Sequence, residues 1–203
     1  MFDADDGRAA VRLAREIVEA KAASKRLPCK SRGGLPEVFY QKMGVFVTLN
    51  TYPELELRGC IGIPEPVMPL YDALAEAAGC AANDPRFLPL RAEEMDHIVV
   101  EVTILTKPEL VDVKKPEDYI KRIAIGRDGL IAWKGGRSGL LLPQVPVEWG
   151  WDELVFLEQT CIKAGLPRDA WTSKGFSLYA FSGEVFAEES PRGGVIQKNL
   201  CQG

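Results

Sequence analysis

The 203-residue chain has a formal net charge of −4, with 46% hydrophobic and 27% charged residues, the balance of an ordinary globular protein. That charge argues against a general nucleic-acid-binding surface, and no apolar run approaches the roughly 20 residues needed to span a bilayer. The length allows one large domain or two small ones, either able to bury a core.

Residues 6–26 read as an amphipathic helix, with Val11, Ala14, Ile17 and Val18 forming an apolar stripe among Arg12, Arg15, Glu16 and Glu19. Pro28 stops it, and the densest basic stretch (Lys21, Lys25, Arg26, Lys30, Arg32) is its solvated C-terminal end and the following loop. Strands are predicted over 43–50 and 55–63, joined by a turn at Thr51-Tyr52-Pro53. A helix over 68–82 turns Leu70, Leu74, Ala77 and Ala81 inward. His97 to Leu105 is β-branched and alternating, with Ile98, Val100, Val102 and Ile104 on one face and His97, Glu101 and Thr103 on the other.

Pro116 suits the first turn of a short helix at 116–123. Strands at 124–133 and 139–145 flank Gly135-Gly136-Arg137-Ser138-Gly139, which reads as a hairpin turn because it lacks the lysine and serine of a phosphate loop. Residues 151–164 form a helix capped by Asp152, 178–187 a last strand, and the tail from Glu188 reads as loosely held. Helices and strands do not alternate strictly, so the predicted class is α+β, a mixed sheet covered by helices 68–82 and 151–164. The chain reads as one domain over 1–203, whose two unequal lobes would interleave and cross near 107–116 and 167–176.

Five cysteines, at 29, 60, 80, 161 and 201, form no CxxC or other close metal-ligand pair, so no metal or cofactor is indicated. Their odd number, the absence of a recognisable leader and the acidic first residues predict reduced thiols and a cytoplasmic location. Cys80 and Cys161 fall at helical spacing among apolar residues and are expected in the core. The four tryptophans do not alternate with basic residues, so no single-strand nucleic-acid platform is indicated.

Chemistry concentrates in Leu57-Arg58-Gly59-Cys60-Ile61-Gly62. In an extended chain Leu57, Ile61 and Ile63 share a core-facing side, and Arg58 and Cys60 share the other. A guanidinium beside a thiol favours the nucleophilic thiolate, although cysteine more often serves as a small buried hydrophobe. The hexapeptide, together with Gly44 to Leu49, Asp84-Pro85-Arg86-Phe87, Glu101 to Leu105, Ile125 to Leu130, Leu140 to Val145 and Trp151-Asp152, resembles the AMMECR family in order over most of residues 40–187. The resemblance implies an α+β fold of two unequal parts and no established reaction, in proteins of archaea, bacteria and eukaryotes. It also implies Memo-like and radical S-adenosylmethionine proteins as partners in a shared system.

Cys60 is the candidate nucleophile, for which His97, the single histidine, or Glu101 could supply a base. Glu101 could equally form a salt bridge that positions Arg58. Arg58 is the candidate binder of a small anion, with Gly59 and Gly62 leaving room for it. Asp84, Arg86, Gln144 and Glu148 are expected to border the same concavity, Asp84 and Arg86 either on a ligand or as a pair fixing their loop. Two functions follow: an enzyme acting on a small anionic molecule through Cys60, or a non-catalytic binding or adaptor module whose signature face holds a ligand or a partner's peptide. On the first, Cys60 alkylates faster than Cys80 and Cys161, and Arg58→Ala slows it.

Overall fold

The computed structural model describes residues 2–25 and 34–198. Arg26, Lys30 and Arg32 of the basic stretch, the helix-stopping Pro28, Cys29 and Cys201 lie outside them. The chain divides into two compact units, Met1–Leu105 with Glu184–Lys198, and Thr106–Gly183.

The first unit opens with α1 (Ala4–Ala22), which starts earlier than its apolar period indicates because Asp3 and Asp6 form a reciprocal capping box. Strand β1 (Gly44–Thr51) turns back into β2 (Leu57–Ile63); α2 (Leu70–Ala81) leads to a 3-10 helix at Ala92–His97 and β3 (Ile98–Leu105). β1 lies between β2 and β3 and pairs with both in antiparallel register, so the strands at 57–63 and 98–105 share one sheet and β2 is its edge. Val45, Val47 and Leu49 of β1 and Ile98, Val100, Val102 and Ile104 of β3 meet Val11, Ala14, Ile17 and Val18 of α1 and Leu70, Leu74 and Ala77 of α2 in one core. Burial of these stripes is the main stabilising term, about 1.5–3 kcal/mol for each fully buried aliphatic side chain.

Arg15, expected on the polar side of α1, is buried there. Its Nε donates to Glu188 Oε1 at 2.9 Å and Nη2 to the Ile98 carbonyl at 2.6 Å, while the amide of Val100 donates to Glu188 Oε2 at 2.9 Å. The described part of the tail, to Lys198, is therefore anchored: β8 (Val195–Lys198) pairs antiparallel with Val185–Glu188, where a loose tail was expected.

The second unit holds β4 (Glu109–Leu110), α3 (Asp118–Arg122), β5 (Asp128–Lys134), β6 (Arg137–Leu141), α4 (Gln144–Trp149), α5 (Glu153–Lys163) and the first part of β7 (Ser177–Glu188). β7 pairs antiparallel with β4 on one side and β5 on the other, and β6 follows β5 through Gly135-Gly136, both at positive φ as a two-residue hairpin requires. Leu130, Phe156, Leu157 and Leu178 form the core of this unit.

Four further expectations change. The registers described are all antiparallel where a mixed sheet was expected, because short turns rather than crossover helices join β1 to β2 and β5 to β6. Helix 151–164 becomes α5, which packs on β5 and β6, and α1 with α2 covers the signature sheet instead. The second division of the chain falls at Gly183/Glu184, inside β7, and not at 167–176, because one continuous strand serves both units. The predicted strand at 139–145 also stops at Leu141: prolines 143 and 146 cannot donate to a ladder, but both fit the first turn of a helix, where amides lack partners anyway.

Candidate functional site

The signature strand is extended, as its pattern requires, but one register slip changes its faces. Leu49 pairs with Gly59 and Asn50 with Leu57, which leaves Arg58 as the extra residue of a β-bulge. Ile61 and Ile63 still pack on the core, whereas Leu57, expected beside them, is carried to the surface. The bulge re-aims Arg58 along the outer edge of the sheet. Its Nε donates to Glu94 Oε2 at 2.9 Å, and Nη2 to Glu94 Oε1 at 3.1 Å and the Leu88 carbonyl at 3.0 Å. Burial alone would raise the Glu94 carboxyl, but the Arg58 fork and the amide of Arg91 outweigh it and hold the group below its ordinary value.

Asp84 and Arg86 close the same edge one residue pair further on. Asp84 Oδ2 accepts the Cys60 amide at 2.9 Å, and Arg86 Nη2 donates to the Cys60 carbonyl at 3.1 Å, so both outward backbone groups of this edge residue are satisfied. Arg86 also forks onto Asp84, with Nε to Oδ1 at 3.0 Å and Nη2 to Oδ2 at 2.7 Å. The Asp84 carboxylate is buried, yet Arg86 foremost, with the amides of Cys60 and Arg86, outweighs desolvation and holds it well below the usual carboxylate range. Residues 84–94 thus form a strap along β2, fastened at Cys60 and at Arg58.

The glycines do not leave room for a ligand. A Cβ on Gly59 would lie 2.4 Å from the Ala81 carbonyl oxygen, so this glycine lets the end of α2 approach the strand and delivers Asp84 to Cys60. A Cβ on Gly62 would meet the Phe46 ring at 2.2 Å, and that ring fills the space.

Cys60 is half-buried, and its Sγ accepts a hydrogen bond from Thr48 Oγ1 at 3.3 Å. Thr48 stands opposite Cys60 on one side and Glu101 on the other, so the three occupy one row across the sheet. Glu101 does not reach Arg58; its Oε2 accepts from Lys198 Nζ at 2.7 Å, because the bulge displaces Arg58 and β8 brings a lysine. His97 ends the 3-10 helix one residue beyond the Thr51–Ile98 pair, four residues along β3 from Glu101 in the Cys60 row. That is about 13 Å at strand rise, which rules out a direct Cys–His pair in this conformation.

Arg58 and the strap residues Phe87, Leu88, Pro89, Arg91, Glu93 and Glu94 line an open groove of about 710 Å³, within the range of ligand sites. The guanidinium carbons of Arg58 and Arg86 lie 5.8 and 5.7 Å from the centroid of the Phe87 ring, within cation–π range. Leu88 is 77% exposed. Gln144 and Glu148, expected at the same concavity, sit in the second unit on α4, and the hydrogen bonds fastening the strap come from neither. Cys80 is exposed on α2, not in a core; Cys161 is fully buried, and burial pushes its thiol up to about 11. The sequence does not mark Glu94 as a site residue, and Phe46 and Thr48 enter its reading only within the run Gly44 to Leu49. Glu94 had one local signal, its spacing three residues after Arg91, where it caps the 3-10 helix. Among the described residues no cluster of His, Cys, Asp and Glu could hold a metal ion, and no helix is long and apolar enough to cross a membrane.

With the fold and strap established, comparison with known proteins places the chain. The AMMECR1 family model matches residues 11–186. The chain belongs to the AMMECR1 family. Protein MJ0810 of Methanocaldococcus jannaschii is 55% identical over 197 residues, covering 97% of this chain and 96% of that protein. Protein PH0010 of Pyrococcus horikoshii is 52% identical over 200 residues, covering 96% of this chain and 95% of that protein. The crystal structure of PH0010, an uncharacterized protein, superposes with a TM-score of 0.80 at 50% identity and covers 98% of each chain. An AMMECR1-family fold over nearly the whole chain is therefore shared with archaeal proteins that carry no stated activity.

Proposed function

We propose that this AMMECR1-family chain is a binding module whose recognition surface is the groove beside Arg58 and whose occupant is a segment of a protein partner. The observation that carries this reading is the engagement of the signature strand's polar groups within the chain: Arg58 by Glu94, and the Cys60 backbone by Asp84 and Arg86. A nucleophilic thiol is activated by a base within reach or by an unpaired cation beside it, whereas Cys60 Sγ accepts from the hydroxyl of Thr48 and the Arg58 fork is spent on Glu94. Recognition instead rewards a surface fixed before its ligand arrives, because less ordering entropy is then lost on binding. The strap supplies such a surface, with Phe87, Leu88 and Pro89 suited to an apolar side chain and Arg91 to an adjacent acidic one. Memo-like or radical S-adenosylmethionine proteins are the first candidates to carry such a segment. A small anion, the rival occupant, would have to draw Arg58 away from Glu94.

Selection of displayed peptides on the immobilised full chain tests the proposal. The expected peptides combine an apolar with an acidic residue and lose at least about tenfold in affinity, about 1.4 kcal/mol, on Leu88→Asp and on Arg91→Glu. Peptides that bind those variants as well as wild type would overturn it. So would a metabolite screen returning a small anion that wild type binds and Arg58→Ala does not.

A further inference from the structure

Anion recognition was expected at Arg58, whose fork is taken by Glu94; other cations of this acidic chain converge elsewhere. We propose that the second unit carries an oxyanion site beside β4 and the turn between α3 and β5, which takes a small molecule through its phosphoryl or carboxylate group. This is independent of the groove beside Arg58, which belongs to the first unit.

The site is a concavity of about 460 Å³ whose lining includes Lys107, Arg122 and Arg127, brought together from three separate segments. Lys107 owes its place to an irregularity in the sheet. The amide of Thr106 donates to the Ser182 carbonyl at 2.8 Å, whereas Glu109 pairs with Ala180, so one extra residue is accommodated at Lys107-Pro108. A bulge of this kind re-aims a side chain out of the ladder. Arg122 ends α3, and Arg127 precedes β5.

Arg127 is fixed by Asp128, whose Oδ1 accepts from Nε at 2.7 Å and whose Oδ2 accepts from Nη2 at 2.8 Å. Asp128 Oδ2 also accepts the Ala124 amide at 2.8 Å, so this buried carboxylate is fully engaged. Among the described residues neither Lys107 nor Arg122 has an ion-pair partner. The lining therefore sets three cations against two carboxylates, Asp128 and the exposed Glu109, in a chain of net charge −4. Beside them stand two hydroxyls: Thr106 Oγ1 accepts the Ser182 amide at 2.8 Å and lies 3.3 Å from Ser182 Oγ. Exposed cations taken singly need no explanation. Cations from separate segments that meet in one concavity, next to hydroxyls able to donate, make a local positive potential of the kind that recognises phosphate and carboxylate oxygens.

Titration of the ¹⁵N-labelled full chain with inorganic phosphate and, separately, with citrate tests the proposal, against sodium chloride at matched ionic strength. Saturable shifts in the millimolar range are expected in the amides of 106–107, 109–111, 122–128 and 180–182, weakened at least about tenfold in Lys107→Gln/Arg122→Gln. Glu109→Gln, which removes the opposing charge, should tighten the same binding. Saturation by phosphate alone assigns a phosphoryl ligand; saturation by citrate alone assigns a carboxylate. Shifts that do not saturate, that match chloride, or that persist undiminished in the double variant would overturn it.

Discussion

Gly59→Ala places a methyl group where an ideal Cβ stands 2.4 Å from the Ala81 carbonyl oxygen and 3.6 Å from Asp84 Cβ. Ordinary contact begins at 3.4 Å, so strand and helix end must separate by about 1 Å. The obstructing atom is backbone at the last residue of α2, which cannot swing aside as a side chain would. Overpacking of this kind costs about 1–3 kcal/mol. The separation also stretches the 2.9 Å bond from the Cys60 amide to Asp84, worth a further ~1 kcal/mol. The expected loss is thus about 2–4 kcal/mol, read as a lower urea midpoint at unchanged slope. Gly79→Ala is the internal control: it lies within the same helix with nothing within 4 Å of its added Cβ, and should stabilise by about 0.5–1 kcal/mol. Equal midpoints for the two variants would refute the claim that Gly59 serves close approach of α2.

Asp84→Asn should cost about 1–3 kcal/mol at neutral pH, the low end allowing for the half-exposed Arg86 partner. Because the folded carboxyl lies below its unfolded value of about 3.9, this contribution is complete above about pH 5 and fades as pH falls toward 2. Urea unfolding from pH 7 to 3 should show the wild-type advantage shrinking; a constant difference would count against the pair. Glu188→Ala leaves the buried Arg15 guanidinium with Glu19, 3.8 Å away, as its remaining carboxylate and should cost about 3 kcal/mol, the low end for breaking a buried pair, while Arg15→Met/Glu188→Leu recovers most of the loss. A double variant no more stable than the single would show that the pair is not the unit. Brief iodoacetamide treatment of the native chain near pH 8 should modify Cys80 first and leave Cys161 intact, since burial keeps the latter protonated. Peptide mass spectrometry gives the order, and early modification of Cys161 would mean that the core of the second unit opens.

The elements were legible where local chemistry and burial agree. The period-two runs of β1 and β3 and the stripes of α1 and α2 face one core, and Asp152 caps α5 as its side-chain type suggests. What misled was tertiary. A hydrophobic pattern has no signal for a bulge, so Leu57 was assigned to the core and Arg58 to an open face. Arg15 looked like a surface residue until Glu188, 173 residues away, supplied its partner. Glycine reads as empty space in a sequence, yet Gly59 and Gly62 are filled by a helix carbonyl and an aromatic ring. Cys80 looked internal because alanines surround it in the chain, although it projects from the outer side of the helix. The environment of Arg58 and Cys60 was not legible in the sequence, since their partners lie 12–36 residues away.

Whether the signature strand fastens a binding surface or drives thiol chemistry is tested most directly by iodoacetamide labelling of Cys60 against pH, in wild type and Arg58→Ala. In the binding account Arg58 is neutralised by Glu94 and serves the strap, so its loss should leave the Cys60 rate within about threefold across the profile. A slowing of about tenfold or more, with circular dichroism showing the chain still folded, would mean that the guanidinium activates the thiol. That result would contradict the binding account and restore Cys60 as a nucleophile.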